Sequence, residues 1–199
     1  MNNFEFEHEG ETYWYSRSMT VVTYLFTTRL KKDRNGYYTD QHWYVLADKR
    51  GIALPKNRHK WNCPGGYLDF NETLTQAACR EIHEETGVSL NPEQLHPFAV
   101  KSEPMGQAQN MNISFWAYVP DTEFAEANPL TNEYADQDEV EEVQWIDIEK
   151  LGDYKFGYNQ QNTILYLYHT YIRPRSLWKY LMYKLWEKIN KKYNFLMIK

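Results

Sequence analysis

Runs of apolar residues divide the chain into short strands, separated by polar and turn-forming segments, with one longer helical stretch among them. Glu11 to Ser16, with Thr12-Tyr13-Trp14-Tyr15, reads as a short strand, and Thr20 to Thr28 is strongly β-favouring. Arg29 to Asp40 is polar, carries a turn signal at Asn35-Gly36, and is expected to be a loop. His42 to Asp48 (Trp43, Tyr44, Val45, Leu46) reads as a buried strand. Gly51 to Lys60 follows as a loop with Pro55 and the basic run Lys56-Asn57-Arg58-His59-Lys60. Glu72 to Thr86 contains no Pro or Gly and sets Leu74, Ala77, Ala78 and Ile82 at helical spacing. Asn71 is the expected N-cap and Gly87 stands where a C-cap glycine belongs. Phe98 to Ser102, Met111 to Val119 and Val140 to Ile146 read as further strands, with a loop from Pro120 to Asp138. Asp147 to Leu151 opens a second helix with Asp147 as its cap. Strands on both sides of one central helix, with another helix later, predict an α+β fold with a mixed sheet.

Composition narrows this little. A chain of 199 residues implies one domain, taken as residues 1–160, with a C-terminal extension at 161–199. Hydrophobic residues at 42% and charged residues at 25% suit a soluble globular protein. No stretch approaches the roughly 20 apolar residues that span a bilayer. The acidic start Met1 to Gly10 lacks the form of a signal peptide. With only Cys63 and Cys79 as thiols, the expectation is a reduced, cytoplasmic protein.

Charge changes the picture more. The net charge of −5 hides an asymmetry, because Arg173 to Lys199 carries eight Lys or Arg and one acid, Glu187, leaving about −12 on the remainder. Within that segment Trp178, Leu181, Met182, Leu185 and Ile189 follow helical spacing. A basic amphipathic helix is therefore expected, docked on the acidic body or on a second subunit in a homodimer. An anionic membrane surface or a nucleic acid are the alternative partners.

The chemistry sits on the central helix. At about 100° per residue Glu81, Glu84 and Glu85 fall within roughly a 100° arc. Three carboxylates on one face repel each other, and a hard divalent cation relieves that repulsion. Mg2+ prefers oxygen ligands and bridges to phosphates, and Mn2+ accepts the same donors. The plain alternative is an acidic face turned to water. Arg50, Arg58 and Lys60 could bind phosphate of a nucleotide substrate by charge-assisted hydrogen bonds, although an exposed basic loop would look the same. His83 falls on the opposite side of the helix and is expected in solvent.

Gly66 to Val88 reads G-x5-E-x7-R-E-U-x-E-E-x-G-U, with U a bulky aliphatic residue: nine fixed positions over 23 residues. This resembles the Nudix box, the signature of the Nudix hydrolases. The resemblance implies an α/β/α sandwich over roughly Ser18 to Leu151. It implies Mg2+-dependent hydrolysis of a nucleoside diphosphate linked to another moiety, with Glu81, Glu84, Glu85 and the Gly66 carbonyl as metal ligands. Glu72 and Arg80 would pair across the loop–helix boundary and, with Gly87, serve as scaffold. The base would be a box glutamate or a late-loop carboxylate, Glu139 first and Asp138 behind it. The run Glu139 to Asp147 resembles the late acidic strand entry and Trp-aliphatic-Asp pattern of the fold. Pro104, 16 residues after Val88, resembles the marker of ADP-ribose-type members, and the run that marks NADH-type members is absent. ADP-ribose or a nucleotide sugar is thus favoured. Nucleoside triphosphates, dinucleoside polyphosphates and a non-catalytic nucleotide-sensing role stay open.

Overall fold

The computed structural model describes residues 4–15, 18–32, 34–35, 38–102, 110–120, 138–172 and 195–197. A hairpin of β1 (Phe4–His8) and β2 (Glu11–Tyr15) precedes the main sheet. The sheet contains β3 (Met19–Lys32), β4 (Tyr38–Arg50), β5 (Trp61–Asn62), β6 (His96–Ser102), β7 (Met111–Tyr118), β8 (Val140–Asp147) and β9 (Phe195–Met197). Its order is β5-β4-β3-β7-β6-β9, with β8 also paired to β4. β3 and β7 run parallel, and the other pairs are antiparallel, so the sheet is mixed as expected.

The two faces separate by strand alternation. Val22, Tyr24, Phe26, Val45 and Ala47 point to one core, where Ile164 and Leu167 of α2 (Gln160–Leu167) pack. Val21, Leu25 and Leu46 point to the other, against Ala77, Ala78 and Ile82 of α1 (Leu74–Thr86). The two alanines remove side-chain bulk where helix meets sheet, and Ile82 fills the remaining space with no exposure. Helices on both faces make the expected α/β/α sandwich. No helix among the described residues is long and apolar enough to cross a membrane.

Several boundaries differ from the sequence reading. Arg29 to Asp40 is largely hairpin: β3 continues to Lys32 and β4 begins at Tyr38, with Lys31 opposite Asp40. Cross-strand hydrogen bonds satisfy this backbone whatever the polarity of its side chains, so composition alone misreads it. β1 lies outside every expected strand. Asp147 does cap, its Oδ1 accepting from the Glu149 N–H at 2.9 Å, but the helix it opens is a short 3-10 turn, Ile148–Asp153. Pro104 and most of the Arg173–Lys199 segment expected to hold the basic helix (173–194 and 198–199) lie outside the described residues. The end of that extension is not helical, since Phe195–Met197 pairs with β6 and covers its edge.

The start of α1 is also corrected. Its N-cap is Thr73, not Asn71. The Thr73 hydroxyl accepts from the Gln76 N–H at 3.3 Å, and the Gln76 side chain accepts from the Thr73 N–H at 2.8 Å. Asn71 instead takes a left-handed turn at φ 66°, a conformation asparagine tolerates. Gly87 closes the helix at φ 74°, its N–H donating to the His83 carbonyl at 2.8 Å. Thr73→Ala removes the reciprocal cap and is expected to cost about 1 kcal/mol. Urea unfolding checks this, with the midpoint lowered and the slope unchanged.

Candidate active site

The loop entering α1 is fixed first by the sheet. The Pro64 and Gly66 carbonyls each accept from β3, from the Thr23 and Val21 N–H groups, both at 2.9 Å. A Cβ on Gly65 would stand 2.1 Å from the Val21 carbonyl oxygen, and one on Gly66 would stand 2.5 Å from Glu81 Oε1. Glycine at both positions is a packing requirement. It lets the loop lie flat on β3 and lets the Glu81 carboxylate rest on bare backbone.

Arg80 then ties loop to helix. Its Nε and Nη2 donate to Glu72 Oε2 and Oε1 at 3.1 and 2.7 Å, a bidentate pair. Nη2 also donates to the Tyr67 carbonyl at 2.9 Å. Nη1 donates to Glu81 Oε1 at 2.8 Å and to Glu84 Oε2 at 3.0 Å. Two of the three helix carboxylates are thus already bridged by a cation of the chain itself, which the sequence reading had paired with Glu72 alone. Glu72 sits outside the helix, and there it also accepts from the Asp69 N–H at 2.7 Å. Its hydrogen bonds from Arg80 hold its carboxyl below the usual range.

Glu85 is held separately, accepting from the Gly65 N–H at 2.8 Å. Burial pushes the Glu85 carboxyl well up, and neighbouring Asp48 and Glu81 push it further. Burial likewise raises Glu81, against the pull of Arg80. Glu81, Glu85 and the Gly66 carbonyl therefore bring oxygen donors to one end of the sheet, with Glu84 beside them and more exposed than Glu81. This all-oxygen donor set, lying on bare glycine backbone, fits a hard divalent cation.

The other expected residues divide into two groups. Arg50, at the end of β4, lies close enough to lower both Asp48 and Glu85 electrostatically. Its Nε donates to the Lys56 carbonyl at 3.1 Å, and its guanidinium stacks 5.5 Å from the centre of the Tyr158 ring. The Asp138–Glu139 backbone is clamped beside it, the Glu139 carbonyl accepting from the Gly51 N–H at 2.6 Å. Glu139 itself is exposed. Arg58 and Lys60 are also exposed and engage their own loop, donating to the Leu54 carbonyl at 2.6 Å and to Asn57 Oδ1 at 3.0 Å. His83 is half-buried rather than in open solvent, with Nδ1 3.3 Å from Ser89 Oγ. Cys63 is a buried free thiol and Cys79 a half-buried one.

The residue that sequence reasoning passed over is Asp48. It is 1% exposed, and burial pushes its carboxyl up to about 7. An acid two residues after Leu46, on the core-facing side of a strand, is the signal that could have found it. A second grouping lies elsewhere: ligand atoms of His42, Asp147 and Glu149 all come within 4.8 Å of one another. Arg29, the cross-strand partner of His42, brings a cation to that end of the sheet.

A family model for the NUDIX domain matches residues 37–167. Among curated proteins the chain is similar to phosphatase NudJ of Escherichia coli K12, at 54% identity over 33 residues. That stretch is 17% of this chain and spans 22% of the length of NudJ. Among solved structures it is similar to the NUDIX domain of Shewanella oneidensis NrtR complexed with ADP ribose, at 18% identity and TM-score 0.56. That alignment covers 75% of this chain and 85% of the other. A mutT/nudix family protein from Listeria innocua aligns at 21% identity and TM-score 0.51, over 88% and 95% of the two chains. At these identities the structural likeness concerns the fold.

Two outcomes follow from the geometry. Arg80→Lys keeps one charge but cannot supply the planar fork, and is expected to cost roughly 2 kcal/mol in urea unfolding. The second concerns pH. Asp48, Glu81 and Glu85 bind protons more tightly in the folded chain than in the unfolded one. The stability they contribute is present in acid and lost as pH rises through their folded values. Glu72 has the opposite sign, its contribution being lost as pH falls through its lowered value. In chelator-treated protein the Tm should therefore rise as pH is lowered from about 8 to about 5, and turn down only in stronger acid. A Tm that climbs steadily to pH 8 would contradict this account of the buried acids.

Proposed function

Because the chain belongs to the Nudix family, we propose that it is a Mg2+-dependent pyrophosphohydrolase that cleaves the phosphoanhydride of a nucleoside diphosphate linked to another moiety. The observation that carries this reading is the convergence at Gly65–Gly66. There the buried Glu81 and half-buried Glu85 carboxylates meet glycine backbone, and Arg80 fixes the loop that presents it.

In this reading Glu81, Glu84, Glu85 and the Gly66 carbonyl hold Mg2+, with Mn2+ as a substitute. The Gly66 oxygen already accepts one hydrogen bond from Val21, and a carbonyl has a second lone pair to offer. When bound, the ion polarises a phosphoryl oxygen and lowers the pKa of water. The chain supplies the rest. Arg50, close enough to act on Asp48 and Glu85, offers guanidinium charge to the diphosphate, and Arg58 and Lys60 of the exposed basic loop add to it. Glu139, held by its backbone against Gly51, accepts a proton from the attacking water. The water oxygen bonds to phosphorus, the bridging P–O bond breaks, and two phosphorylated products leave. Glu72, Arg80 and Gly87 act as scaffold. ADP-ribose or a nucleotide sugar is the favoured substrate, on the position of Pro104. Residues 1–160 form the catalytic unit in this proposal, and the basic extension docks on it or on a second copy.

A phosphatase-coupled phosphate-release screen over ADP-ribose, nucleotide sugars, dinucleoside polyphosphates and triphosphates tests the reading. Turnover should require Mg2+ and fall roughly 100-fold or more in Glu84→Gln and Glu85→Gln. Wild-type turnover in both variants would sink the ligand assignment. Tight binding of one nucleotide with no turnover of any would make the protein a sensor. Glu139→Gln should lose about 10²–10⁴ in kcat if that carboxylate is the base, with little change in KM.

A further inference from the structure

Resting on the reading of α1 as the ion-binding helix, we propose that Asp48 is a positioning residue of the ion centre, its carboxylate standing behind Glu85 and adding the charge that draws and retains the cation. Asp48 lies on β4, opposite Asn62 of β5 and Val143 of β8. Leu46, two residues earlier, packs in the core beneath α1, so strand alternation turns Asp48 toward the same layer. Three residues beyond Asn62 the chain reaches Gly65, whose N–H donates to Glu85 Oε2. Asp48 and Glu85 thus meet the same short segment at its two ends, Asp48 through the pairing with Asn62 and Glu85 through the Gly65 N–H. Cys63, between Asn62 and Gly65, feels both charges, each raising its thiol beyond the larger effect of burial.

Asp48 Oδ1 is buried with no hydrogen-bond partner. An unpartnered buried carboxylate oxygen is costly unless something present in the working protein satisfies it. Arg50 lends charge, directs its Nε to the Lys56 carbonyl and its face to Tyr158, and makes no hydrogen bond to Oδ1. A buried acid and a half-buried one at the two ends of this segment concentrate negative potential where little water screens it. A divalent ion on the Glu85 side offsets that potential. Groups placed behind metal-binding carboxylates orient them and tune affinity in this way.

The test is Mn2+ binding to the full chain, read as free Mn2+ by electron paramagnetic resonance. Asp48→Asn keeps the shape and removes the charge. Its Mn2+ affinity should fall about 10–100-fold, while its stability without metal is retained or raised. Asp153→Asn removes one exposed acid and should leave binding unchanged. Unchanged Mn2+ affinity in folded Asp48→Asn overturns the proposal, and so does an equal loss in Asp153→Asn. Wild-type protein that binds no Mn2+ overturns the ion-binding reading itself, and this inference with it. Should Asp48→Asn fail to fold, the Asp48 carboxyl carbon NMR resonance of the wild type is followed as Mg2+ is added. A shift that saturates with binding supports the proposal, and an unmoved resonance overturns it.

Discussion

The Arg80 guanidinium is the interaction on which the rest of the site depends. Its five N–H donors all go to the chain itself: to both oxygens of Glu72, to the Tyr67 carbonyl, to Glu81 and to Glu84. Without it, loop and helix would meet through carboxylates alone. With it, the loop closes over the first turns of α1, and two like charges share one cation. Saturation has a price in function: no N–H of Arg80 is left for a phosphate. In the proposed hydrolase, recognition of substrate charge falls to other cations, Arg50 among them.

Backbone contact is the second constraint. Gly65 and Gly66 are pressed between β3 on one side and the Glu81 and Glu85 carboxylates on the other. The sheet therefore does more than support α1. It presents peptide groups edge-on to the acids, so that donor and acceptor positions near the ion site are set by β3 and vary little with side-chain rotamers.

Much of this was legible in the sequence, for a physical reason. The box is local: its glycines, its Arg and its acids lie within one loop and one helix, where spacing fixes geometry. The Gly87 cap could therefore be placed from spacing, and the Arg80–Glu72 pair from the resemblance of the box. What escaped was set by contacts distant in sequence or by competition among neighbours. Asn71 and Thr73 are both good caps, and the choice went to Thr73 because Gln76 completes the reciprocal pair and frees Glu72 for Arg80. Asp48 looked like the end of a buried strand; its place on the core-facing side hints at more, and its pairing opposite Asn62, a few residues before the glycines, became visible only in the folded sheet. The hairpin ends of β3 and β4 were hidden by polar side chains that leave the backbone ladder untouched.

The parallel pairing of β3 with β7 carries a consequence for the order in which the molecule assembles. β3 can close onto β4 as a local hairpin, but its other edge waits for a strand some 90 residues later, as in the bond from the Thr27 hydroxyl to the Val119 carbonyl across 92 positions. Ile113, Phe115 and Ala117 of that late strand complete the floor beneath α1. The acidic helix is therefore synthesised after the β3 and β4 part of its seat but before the β7 part exists. During that interval its apolar stripe lacks part of its cover. Non-local closure of this kind is slow relative to hairpin formation, so maturation of the acidic centre is the late event in folding, and the nascent chain is most exposed to misassociation just before β7 arrives.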